Sequence, residues 1–167
     1  DGGWMRRYPA PDQRIGLGEV GVSGDGADLA IVSYGNGHYL SQQAARDLAE
    51  AGVDARVIDL RWLAPLPEDA LIEAIGDCPV LIVAECRRTG GQAEALMALM
   101  AERGVKQFAR LTAEDSFIAP GPASAAPLPP REGVGAEARD IVGYGPALSG
   151  HRRGGGEGGG GGGGWAG

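Results

Sequence analysis

The chain has 167 residues, 43 % of them hydrophobic and 22 % charged, which suits one globular domain with a full core rather than two. A formal net charge of -7 argues against nucleic acid or an anionic membrane as partner, since both repel an acidic surface. No apolar run approaches the ~20 residues of a membrane span, and the opening "DGGWMRRYPAPDQ" lacks the apolar core of a secretory signal.

Residues 1–15 contain Gly2, Gly3, Pro9 and Pro11 without periodicity and read as a linker arriving from an upstream domain. The chain begins on Asp1, as expected of a processed product or a piece of something longer. "LGEVGVS" (Leu17 to Ser23) has the pattern of a short edge strand, and "GDGAD" is a turn.

Regular alternation starts at Asp28. "DLAIVSY" is a buried strand, and Leu40, Ala44 and Leu48 share one face of a helix ending near Gly52. "ARVIDL" is the next strand. "LAPLP" is a turn, and Pro67 suits the first position of a helix carrying Leu71, Ile72 and Ile75 inward. "VLIVAE" (Val80 to Glu85) follows as the most deeply buried strand. Ala93, Leu96, Met97 and Met100 then mark a longer helix that Gly104 stops. "FARLTA" (Phe108 to Ala113) is a last strand, Pro120 to Pro130 a loop, and "EGVGAEARDIV" a weak final helix. Residues 16–145 form the expected domain. The glycine-rich tail, 146–167, cannot bury a core and is expected to be disordered. Strands alternating with helices imply βαβ units and a mostly parallel sheet covered on both faces.

Cys78 and Cys86 are the two cysteines and lack C-x-x-C spacing, so reduced thiols in a cytoplasmic protein are expected. In "YGNGHYL", Gly35 and Gly37 match the first two glycines of a dinucleotide-binding turn, and Asp59 ends the next strand where a ribose-binding acid would sit. The third glycine position is Leu40, which removes the close helix-on-strand contact such a turn needs. Asn36 and His38 lie in the same turn, with no sequence neighbour that orients the imidazole. Asp59 and Arg61 mark the carboxyl end of their strand, as a salt bridge or as ligand contacts.

The stretch "ECRRTGGQAE" ends the most apolar strand in charge. Thr89 and Gln92 have the spacing of a capping box. Gly90 and Gly91 allow close backbone approach. Arg87 and Arg88 add positive charge beside a helix start, and Glu85 is their nearest acidic partner. Two readings stay open here: an anion-binding or docking edge, and a capped, self-neutralised turn. No Ser/His/Asp order, metal-ligand cluster or P-loop appears in the sequence.

"DLAIVSYGNG", "ARVIDLRWLAPLPEDALIEAI", "VLIVAECRRTGGQAEALMALM" and "ARLTAEDSFIAPGPA" occur in this order and together resemble the carboxyl-terminal domain of the transketolase superfamily. The branch they resemble most is the β-type part of thiamine-diphosphate-dependent 2-oxo acid dehydrogenases. "RIGLGE" is similar to that family's entry into the domain, and the likeness runs from Arg14 to about Ala123.

The resemblance implies a three-layer α/β/α domain with a mostly parallel five-stranded sheet and an antiparallel edge strand. It implies thiamine diphosphate and Mg²⁺ in the parent enzyme, bound by domains absent from this sequence. The G-D-G…N-N signature of the diphosphate side is missing, and so is the domain supplying the glutamate that activates the cofactor. No catalytic, cofactor or metal residue is therefore carried over.

What the resemblance implies for this chain is assembly. Partners would be other domains or subunits in a homodimer or heterotetramer, with the acyltransferase core in some members. The expected interface residues are Gly35, Asn36, Gly37, His38, Arg61, Glu85, Arg87, Arg88, Thr89, Gly90 and Gly91. The parent enzyme would oxidatively decarboxylate pyruvate or a branched-chain 2-oxo acid and pass the acyl group to a lipoyl carrier; the isolated chain is expected to be inactive. The alternatives are the same domain of transketolase or deoxyxylulose-phosphate synthase, a stand-alone assembly module, and a dinucleotide binder.

Overall fold

The computed structural model describes residue 10, residues 14–117 and residues 128–143. The expected tail lies outside these residues, as do most of the linker and of the loop Pro120 to Pro130. The elements are β1 (Gly21–Ser23), β2 (Leu29–Ser33), α1 (Gly35–Glu50), β3 (Ala55–Asp59), α2 (Glu68–Ile75), β4 (Val80–Arg87), α3 (Gln92–Glu102), β5 (Phe108–Ala113) and α4 (Arg131–Gly143). Among the described residues no helix is long and apolar enough to cross a membrane.

The five strands form one sheet in the order β1-β3-β2-β4-β5. β2, β3, β4 and β5 pair in parallel, and β1 pairs with β3 antiparallel. The antiparallel edge is shorter than the sequence suggests. Leu17 sits in a turn and is 80 % exposed, and pairing begins only at Gly21.

Alternate residues of each buried strand serve opposite layers, because side chains alternate across a pleated sheet. Ala30, Val32, Val80 and Ile82 pack with Leu71 and Ile75 of α2 and with Leu96 and Met100 of α3. Leu29, Ile31, Leu81 and Val83 pack with Ala44 and Leu48 of α1 and with Val134, Ala138 and Ile141 of α4. Two helices therefore cover each face, giving three layers. β2 leads through α1 to β3 on one side. β3 then leads through α2 past β2 to β4 on the other, and that change of direction puts α1 and α2 on opposite faces.

Several helix faces are rotated from their sequence-based assignment. In α1 the buried line is Gly37, Ser41, Ala44 and Leu48, and Leu40 is half-buried beside it. Small residues line the contact because α1 lies close to the sheet: a Cβ on Gly37 would stand 2.6 Å from Ser33 Oγ. Ile72 and Met97 are half-buried, and Leu99 takes a core position on α3. Pro67 precedes α2 as its N-cap, one position before the site expected for it.

Candidate functional site

The candidate residues gather at the carboxyl ends of the parallel strands, where open α/β sheets admit ligands. Gly35, Asn36, Gly37 and His38 form the first turn of α1, just beyond β2. Asp59 ends β3 and Arg61 follows it. Glu85 and Arg87 end β4, and Arg88 to Gly91 lead into α3.

On the β3 side, Arg61 Nε lies 2.5 Å from Asp59 Oδ2, and His38 Nε2 lies 4.0 Å from the same oxygen. The sequence offers His38 no local partner; the fold brings Asp59 beside it. His38 Nδ1 is buried without a hydrogen-bond partner. Burial lowers the His38 pKa below its usual value, helped by the Arg61 charge and opposed by Asp59. Arg61 has φ 55°, a left-handed conformation that a non-glycine residue adopts at a cost. These groups line an open cleft of about 410 Å³ together with Arg14, Glu19 and Ser23.

Between β2 and β4, Asn36 Nδ2 donates to Glu85 Oε1 at 2.6 Å. Glu85 thus pairs with an amide, not with the arginines beside it in sequence. The pairing of β4 with β5 is irregular between Ala84 and Arg87, so the strand is not regularly pleated past Glu85, and Asn36 reaches Glu85 from the first turn of α1. Below this pair the Tyr34 hydroxyl donates to Cys86 Sγ at 3.4 Å. Burial, then the Cys86 contact, hold the Tyr34 phenol well above its ordinary pKa. Cys78 and Cys86 are both free thiols.

At the start of α3 the expected Thr89–Gln92 capping box is replaced. The N-cap is Gly91 and makes no side-chain cap bond. Glu94 reaches back so that Gly90 N–H donates to its Oε2 at 2.9 Å. No capping box forms, since Gly91 has no side chain to cap with; it packs tightly instead, and a Cβ there would meet Cys86 Sγ at 2.6 Å and Arg87 O at 2.8 Å. Gln92 Nε2 instead donates to Leu63 O at 3.2 Å.

Thr89 N–H donates to Asp115 Oδ1 at 2.8 Å. This bond, first among the causes, lowers the Asp115 pKa, with Arg88 N–H and the Arg87 charge also contributing. Backbone amides that would attract an anion therefore hold the chain's own carboxylates. Arg87 Nε donates to Thr89 O at 3.1 Å, and Arg88 is exposed. Sequence reasoning missed Asp115, which lies 26 positions from Thr89 and carries no local signal. Glu94 was not legible either, because it bonds the N–H of Gly90, one residue before the cap, rather than that of the cap itself.

A family model described as "Transketolase, C-terminal domain" matches residues 18–128. The pyruvate dehydrogenase E1 component subunit beta of Bacillus subtilis (strain 168) is 28 % identical over 146 residues, spanning 84 % of this chain and 45 % of that protein. The 2-oxoisovalerate dehydrogenase subunit beta of the same organism is 34 % identical over 95 residues, or 56 % of this chain and 29 % of that protein. The 1-deoxy-D-xylulose-5-phosphate synthase of Halothermothrix orenii is 35 % identical over 112 residues, 65 % of this chain and 17 % of that protein. A solved split-gene transketolase, described as an inactive beta4 tetramer, shares the fold with a TM-score of 0.69 at 23 % identity, covering 83 % of this chain and 46 % of that one. The chain thus spans less than half the length of each of these proteins.

Proposed function

Because the chain belongs to the transketolase C-terminal domain family, whose model matches residues 18–128, we propose that it is the assembly domain of a thiamine-diphosphate-dependent 2-oxo acid dehydrogenase. In this reading it packs against other domains or subunits of the decarboxylating component and contributes no catalytic group. The observation that carries the choice is the extent of likeness. The match to the pyruvate dehydrogenase beta subunit runs over 146 residues, against 112 for the synthase. The site geometry supports a packing role, since Asp59, Glu85, Glu94 and Asp115 are each held by neighbours of the same chain.

Thiamine diphosphate and Mg²⁺ belong, in this reading, to the rest of the parent enzyme. The described residues do not fit them: no group of three His, Cys, Asp or Glu side chains converges. The amides at the start of α3 are occupied by Asp115 and Glu94. No reaction step is assigned to this chain.

The test is reconstitution of the chain with the remaining subunits of the parent enzyme. Reversing Arg87 and Arg88 to glutamate is expected to weaken assembly, read as mass in light scattering, more than it lowers the stability of the chain, where Arg87 holds Thr89 O. Equal assembly by the variant defeats the docking role of these arginines. Turnover of a 2-oxo acid by the chain alone defeats the assembly-only reading.

A second reading is favoured by the higher identity, 35 %, to 1-deoxy-D-xylulose-5-phosphate synthase. The domain would then belong to a synthase or transketolase, with its rim arginines facing a sugar phosphate. Ferricyanide-coupled assays of the complete enzyme on pyruvate, branched-chain 2-oxo acids and sugar phosphates separate the two readings.

A further inference from the structure

We infer that His38, Asp59 and Arg61 form a proton-driven exchange: when His38 takes up a proton, Asp59 passes from Arg61 to His38, and the Arg61 guanidinium is released into the cleft at the carboxyl end of β3. Both side chains address a single atom. Asp59 Oδ2 lies 2.5 Å from Arg61 Nε and 4.0 Å from His38 Nε2. The longer separation is within ion-pair range but beyond a hydrogen bond. It suits a neutral ring waiting beside a carboxylate already engaged.

A neutral imidazole has one donor nitrogen and one acceptor nitrogen. Asp59 beside Nε2 favours the proton on Nε2 and leaves Nδ1 as the acceptor. Nδ1 is buried without a partner. A second proton would place a buried N–H there with nothing to receive it, at a desolvation cost. The imidazolium recovers that cost by closing on Asp59 to make a charge-assisted bond of about 2.8 Å. Arg61 then faces a second cation over one carboxylate.

Arg61 is the group that leaves, because the two sites differ in access to water. The Arg61 side chain is 54 % exposed, against 17 % for His38 and 13 % for Asp59. The left-handed φ of 55° at Arg61 sits in a local turn in which Trp62 N–H donates to Leu60 O, so the backbone can stay in place while the exposed guanidinium swings away. The other charged groups of the cleft are Arg14 and Glu19, from the segment before β1. Tyr34 and Glu85, at the ends of β2 and β4, are engaged with Cys86 and Asn36. Burial keeps His38 neutral near pH 7 and sets the exchange on the acid side. The exchange stands without the assembly role; only its consequence, an arginine freed at a docking edge, rests on that reading.

The experiment is nuclear magnetic resonance on the full chain, following the His38 imidazole and the Arg61 Nε–H from about pH 8 to about pH 5. A His151→Gln variant removes the other histidine signal. Protection of the Arg61 Nε–H is expected to be lost with the midpoint of the His38 titration. Asp59→Asn should expose Arg61 at every pH, and His38→Gln should keep it protected throughout. An Arg61 Nε–H that stays protected through the His38 titration overturns the proposal, and so does a chain that unfolds before His38 titrates. If His38→Gln does not fold, the paired midpoints in the His151→Gln chain decide alone. Assembly is not read in this experiment, so failure of the docking role leaves its outcome intact.

Discussion

Asn36 on α1 and Glu85 on β4 are joined by a 2.6 Å hydrogen bond across 49 positions of sequence, and this bond bridges the point where the chain changes direction through the sheet. β2 lies between β3 and β4, so the crevice above β2 and β4 is where a doubly wound sheet would take a nucleotide. Side chains of this chain span it. Asn36→Ala is expected to lower unfolding stability by about 0.5–1.5 kcal/mol in urea, the usual worth of one hydrogen bond. Calorimetric titration of the unaltered chain with NAD should be flat, and saturable heat would restore the dinucleotide reading.

Gly37→Ala tests how closely α1 approaches the sheet. The added methyl would lie 2.6 Å from Ser33 Oγ, and Ser33 Oγ donates to Val83 O at 2.7 Å in the interior. Either the helix lifts or that buried bond breaks. A loss of about 1–3 kcal/mol is expected by urea unfolding. An unchanged midpoint would mean α1 shifts freely on β2 and β4.

The burial of His38 has a definite sign in stability. Its folded pKa is lowered relative to the unfolded value of about 6.5. The native state therefore binds fewer protons, and stability falls as pH drops from about 6.5 toward the folded pKa. His38→Gln should flatten that part of the stability–pH curve. Parallel curves for the two proteins would show that His38 is not held neutral.

Asp115 acts at lower pH. Its folded pKa is lowered, chiefly by the bond from Thr89 N–H, so its contribution is present above the unfolded value of about 3.9 and disappears as pH falls through the folded one. The group is exposed, and a small global effect is expected from Asp115→Asn. The sharper readout is hydrogen exchange: the Thr89 amide should exchange faster in the variant. Unchanged protection at Thr89 would place the order of this turn in Glu94 instead.

Two aliphatic truncations should differ widely. Ile82 is fully buried between β2 and β5, whereas Val22 on the edge strand is 51 % exposed. Ile82→Ala is expected to cost about 2–5 kcal/mol, and Val22→Ala no more than about 0.5 kcal/mol. A comparable loss for Val22 in the chain alone would show that β1 contributes more to the core than its exposure implies.

The sequence is most informative where one element speaks for itself. "VLIVAE" is an apolar run of the kind a covered strand accommodates, and it is a strand here, extended by two residues to Arg87; "FARLTA", with Arg110 and Thr112 among its apolar residues, is the half-buried edge strand β5. Leu96 and Met100, one turn apart, announce the buried face of α3, and Gly104 ends the helix with φ 73°. Leu40 shows the limit. Hydropathy favours it for the α1 core, but close approach to β2 admits only the Gly37 and Ser41 line at that depth.

What the sequence determined by itself is the order and type of the elements and the collection of charged and glycine-rich turns at one end of the strands. These follow from periodicity and from glycine and proline, whose effects act within a few residues. Only the tertiary structure decided the partners: Asn36 for Glu85, Asp115 for Thr89, and Asp59 shared by Arg61 and His38. Those pairings depend on sheet register, which sets Ser33 opposite both Asp59 and Val83. Register is fixed by burying both faces of the sheet at once, so no window of neighbouring residues contains it.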